Sequence, residues 1–239
     1  MNRSSAYDIF SMMHDIAWQS FEHGTEADLE SFLISASSSN GPVRIILAGE
    51  HWGLRACRII AAGSACIDLR VVFLRGASIG DEGIEILTSS RVLTTTRHLG
   101  IERCGLTDRG VRLLAQSPHW INLHELYLCN RDGIESGSLN QIGDEGVLAI
   151  AASANLVHLE KLDLWNTGVG DRGLEGLVTS PNLPWLANIN AWGTRLTSEG
   201  ARRCKALANE QWASRQGTAE SAAHCWIDTD YDERIITYE

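Results

Sequence analysis

The 239-residue sequence has no apolar run approaching the ~20 residues that a membrane-spanning helix needs. It is also short of basic side chains. Lys and Arg number 20 against 30 Asp and Glu, a formal charge of −10 at pH 7, which is the wrong sign for a nucleic-acid or anionic-membrane binder. The opening residues, Met1 to Asp8, lack a charged stretch followed by an apolar one, so the chain is read as cytoplasmic. No Cys-x-x-Cys occurs. The six cysteines, at 57, 66, 104, 129, 204 and 225, are scattered through a chain large enough to fold without disulfide staples, and free buried thiols are expected.

What the sequence does contain is a repeat. Ile79-Gly-Asp81-Glu-Gly83, Leu106-Thr-Asp108-Arg-Gly110, Ile142-Gly-Asp144-Glu-Gly146, Val169-Gly-Asp171-Arg-Gly173 and Leu196-Thr-Ser198-Glu-Gly200 share one pattern, with glycine spacings of 27, 36, 27 and 27. A serine marker, Ser90, Ser117, Ser153 and Ser180, repeats in the same steps. Upstream of each glycine, apolar residues alternate with others: Val72-Phe-Leu74, Leu99-Gly-Ile101, Leu126-Tyr-Leu128, Leu162-Asp-Leu164 and Ile189-Asn-Ala191. Such alternation predicts a short half-buried strand. Leu69, Leu123, Leu159 and Leu186 stand three residues earlier and Thr96 takes that place in the second copy, which completes L-x-x-L-x-L. Downstream the spacing turns helical, as at Val111, Leu114 and Ala115. Each unit reads strand, turn, helix, with the Asp or Ser as the cap of its own helix and the glycine as the site of close helix-to-strand approach.

These residues resemble the leucine-rich-repeat proteins, in particular the ribonuclease-inhibitor-like and cysteine-containing subclasses. The likeness covers residues 69–207, with a degenerate copy at Val43-Arg-Ile45-Ile-Leu47 through Ile60. It implies an α/β solenoid, a short horseshoe with parallel strands on the concave face and helices on the convex one. It also implies that Ala77, Cys104, Asn140, Thr167 and Thr194 tuck small or polar side chains under the turn. One unit cannot bury its own apolar face, so stacking makes the core.

Outside the repeats, Ile9, Met12, Met13, Ile16 and Phe21 suggest an amphipathic helix over 7–21, and Thr25-Glu-Ala-Asp28 reads as a capping box. The expected organisation is a helical cap over 1–41, a solenoid over 42–207 with an insertion at 131–139, and a C-terminal cap with an acidic tail over 208–239. Ile235 to Tyr238 has the composition of an added edge strand.

Some motifs imitate chemistry. Gly168-Val-Gly170-Asp-Arg-Gly173 matches a dinucleotide fingerprint, but its glycines belong to the repeat, and no cofactor is expected. His119 and His124 lack the spacing of a helical zinc pair, and no metal site is read. The recurring aspartates are caps before they are catalysts.

The outward row of the strands carries more information. Phe73, Tyr127, Asp163 and Asn190 lie inside the L-x-L steps, while Arg75, Glu102, Trp165 and Trp192 follow them; all point away from the core. With Glu125 and Lys161 they form an aromatic and charged concave surface of the composition that binding hot spots have. The function read from this is non-catalytic recognition of a protein partner. Two alternatives stay open: a structural solenoid segment whose concave face is covered by its own ends, and an enzyme using Cys225 beside His224.

Overall fold

The computed structural model describes residues 19–38, 41–131, 133–134, 136–216 and 226–228. Eight strands form one sheet in chain order: β1 (Gln19–Phe21), β2 (Pro42–Ala48), β3 (Asp68–Arg75), β4 (His98–Glu102), β5 (Glu125–Tyr127), β6 (Lys161–Asp163), β7 (Asn188–Asn190) and β8 (Trp226–Asp228). Every pairing is parallel. Seven helices connect them: α1 (Glu26–Ala36), α2 (Leu54–Ala61), α3 (Gly80–Thr88), α4 (Asp108–Gln116), α5 (Asp144–Ala151), α6 (Asp171–Val178) and α7 (Ser198–Gln216). The expected α/β solenoid is what the chain forms.

The core lies between sheet and helices. The alternating leucines of the strands, among them Leu99, Leu126 and Leu162, meet Val111, Leu114, Val147 and Leu174 from the helices in one continuous buried cluster. Thr96, standing where the other copies have leucine, is fully buried because its hydroxyl donates to the Leu69 carbonyl at 2.9 Å. The small or polar positions under the turn also behave as the repeat implies. Cys104 Sγ donates to the Leu74 carbonyl at 3.2 Å, and Thr167 Oγ1 to that of Leu164 at 2.7 Å.

The aspartates do not cap their own helices. Each reaches into the next repeat. Asp81 accepts from the backbone N–H of Thr107 at 2.9 Å, Asp108 from Gly143 at 2.7 Å, Asp144 from Gly170 at 2.7 Å and Asp171 from Thr197 at 2.7 Å. The donor in every rung is the residue immediately before the following helix, where backbone N–H groups have no intrahelical acceptor. The glycine two residues after that donor's successor position is explained by the same rung: a Cβ on Gly110, Gly146, Gly173 or Gly200 would lie 2.1–2.6 Å from the carboxylate of the preceding repeat. Those glycines therefore make room for a neighbouring aspartate along the stack rather than for the strand layer. A second ladder serves the helix C-termini, where Ser90, Ser117, Ser153 and Ser180 donate to the Ala61, Thr88, Ala115 and Ala151 carbonyls of the repeat before.

The ends differ from expectation. Gln19–Phe21 is a strand rather than the close of a helix, because Phe21 is buried against Phe32 and Trp52, with ring centroids 5.5 and 6.1 Å away. The N-terminal unit is thus another strand and helix, and its helix starts with the expected capping box at Thr25 and Asp28. At the other end the helix expected from Ala201 to about Ser214 is present as α7, Ser198–Gln216, and among the described residues the last strand is Trp226–Asp228, where Ile227 is buried beside Ile189. Residues 7–18 of the helix expected over 7–21, the strand over 235–238 and the His224–Cys225 pair lie outside the described residues. Of the five cysteines described, all are free; four are buried and Cys66 is exposed.

Candidate functional site

Strand register arranges the concave face in three rows. Val71, His98, Glu125, Lys161 and Asn188 form one; Phe73, Gly100, Tyr127, Asp163 and Asn190 the next. Arg75 and Glu102 open the third, continued by Cys129, Trp165 and Trp192 just beyond their strands.

The first half of this face is closed by its own side chains. Gly100 leaves space for the Phe73 ring, which would overlap any Cβ there at 2.3 Å, and the ring reaches across to Tyr127 with centroids 5.3 Å apart. Val71 and Ile46 complete a small apolar cluster separate from the main core. The Arg75 guanidinium lies 4.9 Å from the Phe73 centroid and the Lys161 ammonium 5.3 Å from that of Tyr127. Phe73 and Tyr127, expected to be exposed, are only 5% and 2% accessible. Glu102 and Asp163 are likewise buried.

Those buried charges are held in pairs. Arg75 Nε lies 3.4 Å from Glu102 Oε1, and Arg131 Nη2 lies 2.6 Å from Asp163 Oδ2. Burial pushes the Glu102 carboxyl above its ordinary range despite Arg75 and Arg131. Glu125 behaves oppositely: burial opposes ionisation, but the His98 imidazole 3.5 Å away, a hydrogen bond from Tyr127 and the Lys161 charge hold its carboxyl low. Burial, reinforced by Glu125, raises the Tyr127 hydroxyl. The Cys129 thiol is raised by burial and then by Asp163 and Glu102, which leaves it a poor nucleophile.

The second half is open. Trp165 and Trp192 pack edge to face with centroids 5.1 Å apart, and the Arg131 guanidinium covers Trp165 at 5.1 Å. Trp192 remains 42% exposed. Asn188 is exposed and Asn190 half-buried, its Oδ1 accepting the Trp192 backbone N–H at 3.1 Å.

The insertion delivers Arg131. Its neck is closed by two buried asparagines, since the Asn140 N–H donates to Asn130 Oδ1 at 2.7 Å and Asn130 Nδ2 to the Asn140 carbonyl at 2.9 Å. Asn140 also accepts the Cys104 and Leu106 N–H groups and donates to the Ile101 and Leu128 carbonyls. From this neck the loop runs back along the rim, where Gly137 N–H donates to Glu50 Oε1 at 2.9 Å and Ser138 accepts from Gly105 at 2.9 Å. Sequence reasoning placed the loop at the rim but missed Arg131, whose role depends on the path of the chain. Asn188 was also missed, although it stands two residues before Asn190 in the same alternation.

The dinucleotide-like glycines are occupied otherwise: Gly168 N–H donates to the Ile142 carbonyl and Gly170 N–H to Asp144, each at 2.7 Å. Among the described residues no group of three His, Cys, Asp or Glu side chains is placed to hold a metal ion. His124 instead stacks on His158, with centroids 5.9 Å apart.

A family model described as Leucine Rich repeat matches residues 138–151 and 155–178, which hold the turn and helix of one copy and the strand, turn and helix of the next. The fold is a leucine-rich-repeat solenoid. No curated protein matches the chain. Among solved structures it is similar to one titled Leiomodin-1 Actin-Binding Site 2, at 15% identity and a TM-score of 0.45, covering 61% of this chain and 82% of that one. The ladders and rows described above give this leucine-rich-repeat sheet a fixed frame for the open tryptophan surface.

Proposed function

We propose that the protein is a non-catalytic recognition module that binds a protein partner through the C-terminal half of its concave face. The observation that carries this reading is Trp192, 42% exposed just beyond β7 and braced by Trp165, whose ring Arg131 covers. Tryptophan and arginine held rigidly lose little freedom on binding and dominate interface energetics. Trp165, Trp192, Asn190, Lys161 and Arg131 form the contact surface, while Phe73, Tyr127, Glu102 and Asp163 support it from beneath, with Arg75 and Glu125 pairing to them. Affinity capture from native extract tests the reading, with wild type beside a Trp165→Ala, Trp192→Ala variant shown to be equally folded. A protein retained by wild type and lost by the variant supports it; the same proteins on both baits move recognition elsewhere on the molecule.

A further inference from the structure

We infer that residues 7–16 of this chain dock as a helix in the groove between α1 and α2, on the convex side of the solenoid. The groove measures about 450 Å³, and its apolar lining comes from Leu33 and Ile34 of α1 and from Ile59 and Ala62 on the α2 side. Ile34, at 67%, is the most exposed large apolar side chain among the described residues. The far side of α1 offers no such surface. Asp28, Ser31 and Ser35 share the stripe turned away from these groove residues, and all three are polar and exposed.

The segment fits this groove in pattern, charge and reach. Ile9, Met12, Met13 and Ile16 recur at i, i+3, i+4 and i+7, the anchor spacing of a helix laid in a groove. On such a helix Asp8 and Asp15 flank that stripe on one side, and Phe10 and His14 on the other. The α2 lip carries Arg55 and Arg58, whose side chains stay 70% and 60% exposed beside Glu26 and Glu82, and the α1 lip carries Glu30. Laying the two aspartates along the arginine lip keeps them clear of Glu30. Ser37, Ala62 and Ser64 place the groove at the C-terminal ends of both helices, the end of the stack from which the chain enters β2 and β3. β1 begins at that end too, with Gln19 in register beside Val43. Ile16 is three residues from Gln19, a span of about 10 Å in extended chain. Docked there, the segment is held on the convex side and leaves the concave tryptophans to a partner.

Hydrogen–deuterium exchange of the full chain, read by mass spectrometry, tests this. In wild type, amides of residues 7–16 are expected to exchange at least tenfold more slowly than in a free peptide of the same sequence. Ile34→Asp removes most of that protection while exchange in α4 stays unchanged, and Ile121→Asp, at an exposed apolar position of another repeat, removes none. Reversing the lip with Arg55→Glu and Arg58→Glu lowers protection several-fold, and adding Asp8→Arg and Asp15→Arg restores it. Free exchange of residues 7–16 in wild type overturns the inference. So does protection indifferent to both Ile34→Asp and the reversed lip, which would put the segment elsewhere. Protection of the groove that appears only at high protein concentration, with residues 7–16 exchanging freely, overturns it in favour of a second copy.

Discussion

The Asp108 carboxylate occupies the space a side chain on Gly146 would need: a Cβ there would lie 2.6 Å from Asp108 Oδ1, which itself accepts the Gly143 N–H at 2.7 Å. One aspartate thus joins two repeats, and one glycine permits it. The rung recurs from Asp81 to Thr197 and ends where Ser198 replaces aspartate.

Removing one rung and filling its space are coupled. Asp108→Ala leaves a helix-start N–H without its acceptor and costs about 1–3 kcal/mol. Gly146→Ala, a change that normally favours a helix by about 1 kcal/mol, here destabilises by about 2 kcal/mol because backbone and carboxylate must shift. In the double variant the two losses are less than additive, by about 1 kcal/mol. Urea denaturation of the four proteins measures the coupling; strict additivity would mean that the glycine does not serve the aspartate.

Arg103 sits at φ 50°, in the left-handed region, at the position that Gly76 and Gly193 occupy in other copies. Replacing Arg103 by glycine relieves a strain of about 1 kcal/mol. The expected result is a rise in the unfolding midpoint with no change in slope.

Acid acts through carboxylates whose folded pKa lies below the unfolded one. At Asp171 burial opposes ionisation, but the Thr197 backbone and hydroxyl and the Arg203 charge outweigh it and hold the carboxyl below its ordinary 3.8. Glu125 is held below its ordinary 4.5 in the same sense. Their stabilisation is fully present above those ordinary values and is lost as pH falls through the lower folded values. Glu102, raised by burial, has the opposite sign and partly offsets the loss. Denaturation against pH is therefore expected to weaken below the ordinary carboxylate range, and Asp171→Asn to flatten that dependence.

Thiol reactivity separates the cysteines. Burial pushes the Cys57, Cys104 and Cys204 thiols up to about 12, and Cys66 is exposed. Iodoacetamide at pH 8 with peptide mapping should label Cys66 first, with Cys57, Cys104, Cys129 and Cys204 labelled only after denaturation.

The repeat made strand, turn and helix legible because alternation and helical spacing switch at a fixed turn, as at Leu126, Asp144 and Val147. The partner of each aspartate was not legible, since a cap on its own helix and a cap on the next one share a sequence pattern. Outward direction was legible for Phe73 and Tyr127, but exposure was not: it depends on Gly100 leaving a gap and on Arg75 and Lys161 lying over the rings. Phe21 was misplaced in a helix because three strand residues carry too little alternation to outweigh an adjoining helical pattern.

The most direct measurement is calorimetric titration of the captured partner into wild type, Trp192→Ala and Trp185→Ala. Trp185 is the more exposed ring, at 52% against 42%, but it precedes β7 whereas Trp192 follows it. Recognition by the concave face predicts that Trp192→Ala weakens binding by at least about 2 kcal/mol, as a hot-spot residue does, and that Trp185→Ala leaves it unchanged. Equal losses in both variants, or none in Trp192→Ala, would contradict it.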